Sequence, residues 1–219
     1  MKSQDIFLML KLRSLEQQQR GLSQYLSSQW QDWGDVENNN ASPPLDSAHG
    51  FADEPPPKTL EEQFNSQFTV RALGESTGIS KSEISQTLQR CYAAGLAKPD
   101  RISNLPKVNE SALEEFLLHG LRYVFPVKPA EITRGIATAW AAPVLQKKII
   151  SGSEIVPVWP DANGNTRGQA IEPLYKSVPF AVRRDAKLYA LLAVVDSIRI
   201  GQARERKIAS DTLSTLLGE

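Results

Sequence analysis

The chain reads as an α+β protein, mainly α, and three observations predict it. Capped amphipathic segments recur along most of its length. Short extended arms flank a polar loop near residue 100, and two helices close the chain across a glycine. The 219 residues suffice for one large or two small domains, and 41% apolar content is enough for a buried core.

Taken in order, Ser3 to Leu26 reads as a helix with Ile6, Leu10, Leu12 and Leu15 apolar. Gln17, Gln18, Gln19 and Arg20 are expected to point outward. Residues 28–66 form a flexible acidic insert by composition, with Asn38-Asn39-Asn40, Pro43-Pro44 and Pro55-Pro56-Pro57. Trp30 and Trp33 stand at its edge, placed to dock onto the body. Thr59 with Glu62 makes a capping box, so a short helix resumes there.

The segment Leu73 to Gln89 is the most informative. Thr69 caps a helix ahead of Val70 and Ala72, and Gly78 supplies the residue tolerant of positive φ that a tight turn needs. Gly74 leaves room for two helices to approach. Ser80 and Glu83 form a second capping box, so the next helix starts at Lys81. Ile79, Ile84 and Leu88 share its inner face with Tyr92, opposite Leu73. Lys81, Ser82, Ser85, Gln86 and Gln89 then point outward. Gly95 ends the helix as a left-handed residue. Residues 97–108 follow as two extended arms around a polar loop, with Pro99 and Pro106 implying that at least one arm pairs poorly.

Two helices, a tight turn and a hairpin in this order resemble the DNA-binding unit of bacterial winged-helix-turn-helix regulators, broadly the MarR and IclR type. The resemblance covers about a tenth of the chain. It implies that helix 81–94 enters the DNA major groove and that the hairpin is the wing. Gln86 suits a two-bond contact with adenine, and Lys81 suits guanine or a phosphate. Ser80, Ser82 and Ser85 suit phosphate oxygens, and Thr69 and Gln89 complete the helical set. Arg90 either contacts the DNA backbone or pairs within its own helix. Lys98, Arg101 and Lys107 on the wing reach phosphates or the minor groove.

Charge is distributed to match. The net charge is zero, which excludes a protein that coats nucleic acid by charge alone. From Phe68 to Asn109, however, Arg71, Lys81, Arg90, Lys98, Arg101 and Lys107 oppose Glu75, Glu83 and Asp100, leaving +3. From Ser28 to Ser66 eight acidic residues oppose Lys58 alone, leaving −7. A modest +3 suits selective binding by a dimer better than by a single copy.

Ser111 and Glu114 read as a further capping box, opening a helix through Leu113, Phe116, Leu117, Leu121 and Val124 that Pro126 ends. This helix is either a dimer seam or plain packing against the first helix. His119 lies on it with no carboxylate or cysteine at ligand spacing. In the C-terminal third, small apolar residues surround Trp140, and Asn163-Gly164 reads as a hairpin tip between Val158-Trp159 and Thr166-Arg167. Helices over about 186–200 and 203–217 form a closing hairpin broken at Gly201. Arg199, Arg204, Arg206 and Lys207 cluster at the break.

Several chemistries drop out. Asp161, Asn163, Asn165 and Glu172 match four calcium-loop positions, but Thr166 occupies the site of the required glycine, and Pro160 and Pro173 deny the flanking helices. The sequence has no Gly-rich phosphate loop, nucleophile elbow or His/Cys cluster, so neither enzyme activity, metal nor cofactor is expected. Cys91, the single cysteine, reads as a core residue in a reducing cytoplasm. No window is apolar enough to span a membrane.

The expected organisation is a first helix over 1–27, the insert 28–66, helix-turn-helix, wing and following helix over 67–126, and a C-terminal partner, effector or dimerisation domain over 127–219. The expected function is a cytoplasmic, homodimeric regulator, most simply a repressor, that reads a pseudo-palindromic double-stranded DNA site. Two other readings stay open: the DNA-binding antitoxin or accessory half of a two-gene defence module, whose C-terminal domain takes a protein partner, and a DNA-tethered enzyme. A small effector bound near Trp140 and Trp159 is compatible with the first reading.

Overall fold

The computed structural model describes residues 1–19, 59–146, 148–149 and 155–218. The expected extension of the first helix to Leu26, and the insert with Trp30 and Trp33, lie outside the described residues. The architecture is mainly helical with two small sheets. Among the described residues no helix is long and apolar enough to cross a membrane.

Helix α1 (Ser3–Gln19) is buried on every side rather than on one face. Ile6 to Leu10 have no exposed surface, and Asp5, Lys11, Arg13, Ser14 and Gln17 are buried with them. The expectation that Gln17 faces outward is therefore corrected. Burial is tolerated because each of these side chains meets a partner on another element, although Gln17 Oε1 has none among the described residues. Arg13 Nε donates to Leu217 O at 3.0 Å and Gln17 Nε2 to Leu216 O at 2.6 Å. Both satisfy carbonyls at the C-terminal end of α10 (Ala203–Gly218), and the guanidinium also complements the negative end of that helix dipole.

The next elements follow their caps. α2 (Leu60–Ser66) carries the complete Thr59/Glu62 capping box. α3 (Val70–Thr77) starts at Thr69, whose hydroxyl accepts from Ala72 N–H, and stops at Gly78 with φ 70°. α4 (Lys81–Ala93) starts at Ser80, whose hydroxyl accepts from Glu83 N–H. Only half of that expected box forms, because the Glu83 carboxylate turns to Gln4 of the first helix and to Lys2 just before it instead. Gly95, at φ 73°, ends α4, and Leu96 N–H reaches back to Cys91 O.

Strands β1 (Ala97–Pro99) and β2 (Pro106–Val108) pair antiparallel, with Lys98 opposite Lys107 and Pro99 opposite Pro106. The poor pairing expected from the prolines does not occur. Hydrogen bonds Asn109 N–Leu96 O and Asp100 N–Leu105 O mark the bonded rungs, and rungs alternate, so the two prolines share a rung that needs no amide.

α5 (Glu110–Glu115) is capped by Asn109, not by Ser111, and Glu114 is taken by Ser214 of α10. The Ser111/Glu114 box is thus corrected. A π turn over Phe116–Gly120 continues it into α6 (Leu121–Val124).

The C-terminal β-hairpin expected at Asn163-Gly164 is replaced by a closed three-stranded unit. β3 (Ile132–Ala137) pairs antiparallel with both β4 (Pro157–Pro160) and β5 (Thr166–Ala170), while β4 and β5 run parallel. Gly164 is the crossing point rather than a tip: a Cβ there would lie 2.1 Å from the Gly135 carbonyl carbon. The short helix α7 (Pro143–Gln146) lies between β3 and β4 in sequence, and α8 (Val178–Val182) follows β5.

α9 (Ala186–Ile200), capped by Asp185, agrees with the sequence reading, and Gly201 separates it from α10. It is buried around its circumference from Lys187 to Ile198. One continuous apolar cluster joins α1, α3, α4, the hairpin, α9 and α10.

Candidate nucleic-acid interface

Helix α4 carries two chemically distinct faces. Ile84, Thr87, Leu88 and Cys91 are buried, whereas Lys81, Ser82, Ser85, Gln86 and Gln89 are exposed. The exposed set recurs at helical spacing and forms one polar stripe. Ser80 and Thr69 are also exposed, each with its hydroxyl engaged as a helix cap. Ser85 Oγ donates to Lys81 O, and the Ser80 and Ser82 hydroxyls bond each other, so a phosphate contact through these serines exchanges a local hydrogen bond for an external one.

Arg90 is not part of that stripe. Its guanidinium forks onto Asp5, with Nη2 to Oδ1 at 2.6 Å and Nε to Oδ2 at 3.0 Å, and Nη2 also meets Thr87. The expected pairing within its own helix holds for Thr87, but neither sequence alternative foresaw the main partner, Asp5 on α1. Burial works against the Asp5 carboxylate, but the hydrogen bonds and charge of Arg90 and the Lys2 amide outweigh it and hold its pKa below the ordinary value. This pair bolts the inner side of α4 to the core helix and fixes the direction of its outer side.

The hairpin presents Lys98, Arg101 and Lys107, all exposed. Among the described residues none of these three, nor Lys81, forms an ion pair. Lys98 and Lys107 face each other across one rung, so two like charges project from the same side of the ribbon. Asp100, the acid between the two strands, is turned into its own loop, where its carboxylate accepts from Ile102 N, Ser103 N and Ser103 Oγ. Those bonds hold its pKa below the usual carboxylate value.

Sequence reasoning missed two features here. Ile102, at the hairpin tip, is 98% exposed. The C-terminal third also reaches the α3–α4 turn: Ser177 Oγ donates to Thr77 O, and a Cβ on Gly78 would meet Ser177 Cβ at 2.9 Å. No local signal marks Ser177, because its partner lies 100 residues away.

Other candidate groups resolve as structure. Cys91 is buried, and burial, then the negative charge of Asp5, pushes its thiol up to about 12, so it stays protonated. Arg199 is clamped by Asp196, Phe125 O and Glu172 O, which removes it from the expected basic corner. His119 is exposed, and no group of three metal-ligating side chains occurs among the described residues.

Trp140 and Trp159 do not line one cavity among those formed by the described residues. Trp159 is buried and donates to Asp196 at 2.6 Å, while Trp140 lines a separate cavity of about 260 Å³ with Gln146 and Thr166. A larger cavity, about 600 Å³, lies beside Phe125, Tyr175 and Arg199. Comparison with protein-family models, curated proteins and solved structures gave no match, so the interface stands on its own chemistry.

Proposed function

We propose that the chain is a double-stranded DNA-binding transcriptional regulator of winged-helix type, acting as a homodimeric repressor. In this reading α4 lies in the major groove and the β1–β2 hairpin is the wing, gripping phosphates or the minor groove. The carrying observation is the pairing of an exposed polar stripe on α4 with a ribbon of three exposed cations that form no ion pair among the described residues. Elsewhere in the molecule Lys11, Arg13, Arg90 and Arg199 are consumed by internal carboxylates. Two lysines held face to face repel each other, and beyond the Asp100 charge near Lys107 a phosphate backbone supplies a further anion.

The test is a mobility-shift titration of the full chain against the DNA upstream of its own gene, with competitor duplex and varied salt. If Lys81, Lys98, Arg101 and Lys107 of both copies each neutralise a phosphate, log affinity falls against log salt with a slope of about −7. Gln86→Ala weakens binding to the preferred duplex by about 1–3 kcal/mol and leaves random duplex unchanged. Equal loss on both duplexes removes the base-reading role, and no binding in dilute salt ends the reading.

A further inference from the structure

We propose that Ile102 is an apolar wedge that enters the minor groove and unstacks one base step, so that this protein kinks the DNA it binds. The inference rests on the DNA-binding reading above and deepens it.

Ile102 is 98% exposed, beyond any other large apolar side chain among the described residues; Tyr123 follows at 75%. Its position is built rather than loose. Asp100 N–H donates to Leu105 O at 2.8 Å and Asn104 N–H to Asp100 O at 3.0 Å, closing the loop from both sides. The Asp100 carboxylate accepts from Ile102 N and Ser103 N, each at 3.0 Å, and Asn104 adopts φ 56° to complete the turn. This pins the backbone of residue 102 at the apex. A β-branched side chain there has few rotamers, so little freedom remains to be lost on insertion.

The chemistry around the apex selects the partner. Arg101 adjoins the isoleucine, and Lys98 and Lys107 follow on the arms; Asp100 is hydrogen-bonded into its own turn near Lys107, and Glu16 and Glu61 line the cavity that Ile102 and Lys107 share. An apolar tip flanked by cations fits a groove walled by phosphates with a stacked, apolar floor. A lipid surface is a poorer fit, because a single isoleucine lacks the broad apolar face that interfacial binding needs. Burying the isoleucine favours binding by roughly 10- to 100-fold, and unstacking a step costs a similar factor. The two nearly offset, so the signature of the wedge is DNA shape, not affinity.

The experiment uses a 30-base-pair duplex that the full chain recovers from a random library. The duplex carries a donor and an acceptor dye at its ends and 2-aminopurine at its pyrimidine–purine steps. The expected result is a kink of about 20–90°, read as raised energy transfer, with one 2-aminopurine brightening. Ile102→Ala is expected to bind within about tenfold of the parent but to leave the duplex straight and dark, and Ile102→Leu to restore both signals. A duplex bound straight by the parent chain overturns the wedge, as does an Ile102→Ala complex that bends as far. Ile102-dependent binding to phosphatidylserine vesicles, with no duplex bending, also overturns it. Failure to recover any duplex removes the DNA-binding reading itself, and the wedge with it.

Discussion

Helices α4 and α9 are similar in length, 13 and 15 residues, yet their polar side chains meet opposite fates. On α9 the charged ones are spent internally, although the buried Ser197 hydroxyl has no hydrogen-bond partner among the described residues. Its cap Asp185 takes Lys11 Nζ at 2.8 Å, Ser14 Oγ and Leu188 N–H. Asp196, in the helix, takes Thr138 Oγ1, Trp159 Nε1 and Arg199 Nη1. On α4 the inward Thr87 and Cys91 and the half-buried Glu83 and Arg90 reach α1, whereas Lys81, Ser82, Ser85, Gln86 and Gln89 face solvent. The difference teaches where to look for function. A polar group with a buried partner holds the fold, and one left without a partner at regular spacing is available to something outside it.

The strongest way to break this contrast is Asp185→Ala. It strands the buried Lys11 ammonium and removes the α9 cap, so unfolding in urea should show a loss of about 3–5 kcal/mol. A loss under about 1 kcal/mol would mean that the carboxylate is not the tie the geometry implies.

Acid offers an intermediate effect. The Asp5 pKa is depressed below 3.8 by its partners, so the unfolded chain binds the proton more readily than the folded one. The stability it contributes is complete above the ordinary carboxylate pKa and is lost as pH falls through the depressed value. Urea midpoints should therefore drop from pH 5 to pH 2.5 more steeply in the parent chain than in Asp5→Asn. Parallel curves would remove Asp5 from the acid response.

The smallest effect on stability sharpens the other half of the contrast. Lys98→Ala with Lys107→Ala should leave the urea midpoint within about 0.5 kcal/mol, or raise it, since two like charges are removed. The same pair should make the salt slope of DNA binding shallower by about 2 per copy. A large stability loss would show that these lysines serve the fold.

Legibility in the sequence tracks the distance over which each element is decided. Thr59, Thr69, Ser80, Gly78 and Gly95 act within four or five residues, so α2, α3, α4 and the helix ends were readable. The limits of α9 and α10 were readable for the same reason: Asp185 caps one helix and Gly201 parts the two. The Ser111 box failed because Asn109, two residues earlier, offers an equally good cap and hydrogen-bonds Gly95 O as well. The Asn163-Gly164 tip failed because a glycine that permits a turn also permits a backbone crossing, and Gly135 decides between them from 29 residues away. At the candidate interface, the outward residues of α4 followed from period alone, whereas the Arg90–Asp5 fork needed a partner 85 residues distant.

By itself, the sequence determined the capped helices, the glycine stops and the polar stripe of α4, because local hydrogen bonds and a 3.6-residue period act within one turn. Tertiary structure alone decided that α1 and α9 are buried on all sides, that three strands close around Gly135, and that Arg90 faces inward. Those outcomes depend on which distant partner satisfies a buried charge or leaves space for a backbone, and no local pattern specifies that partner.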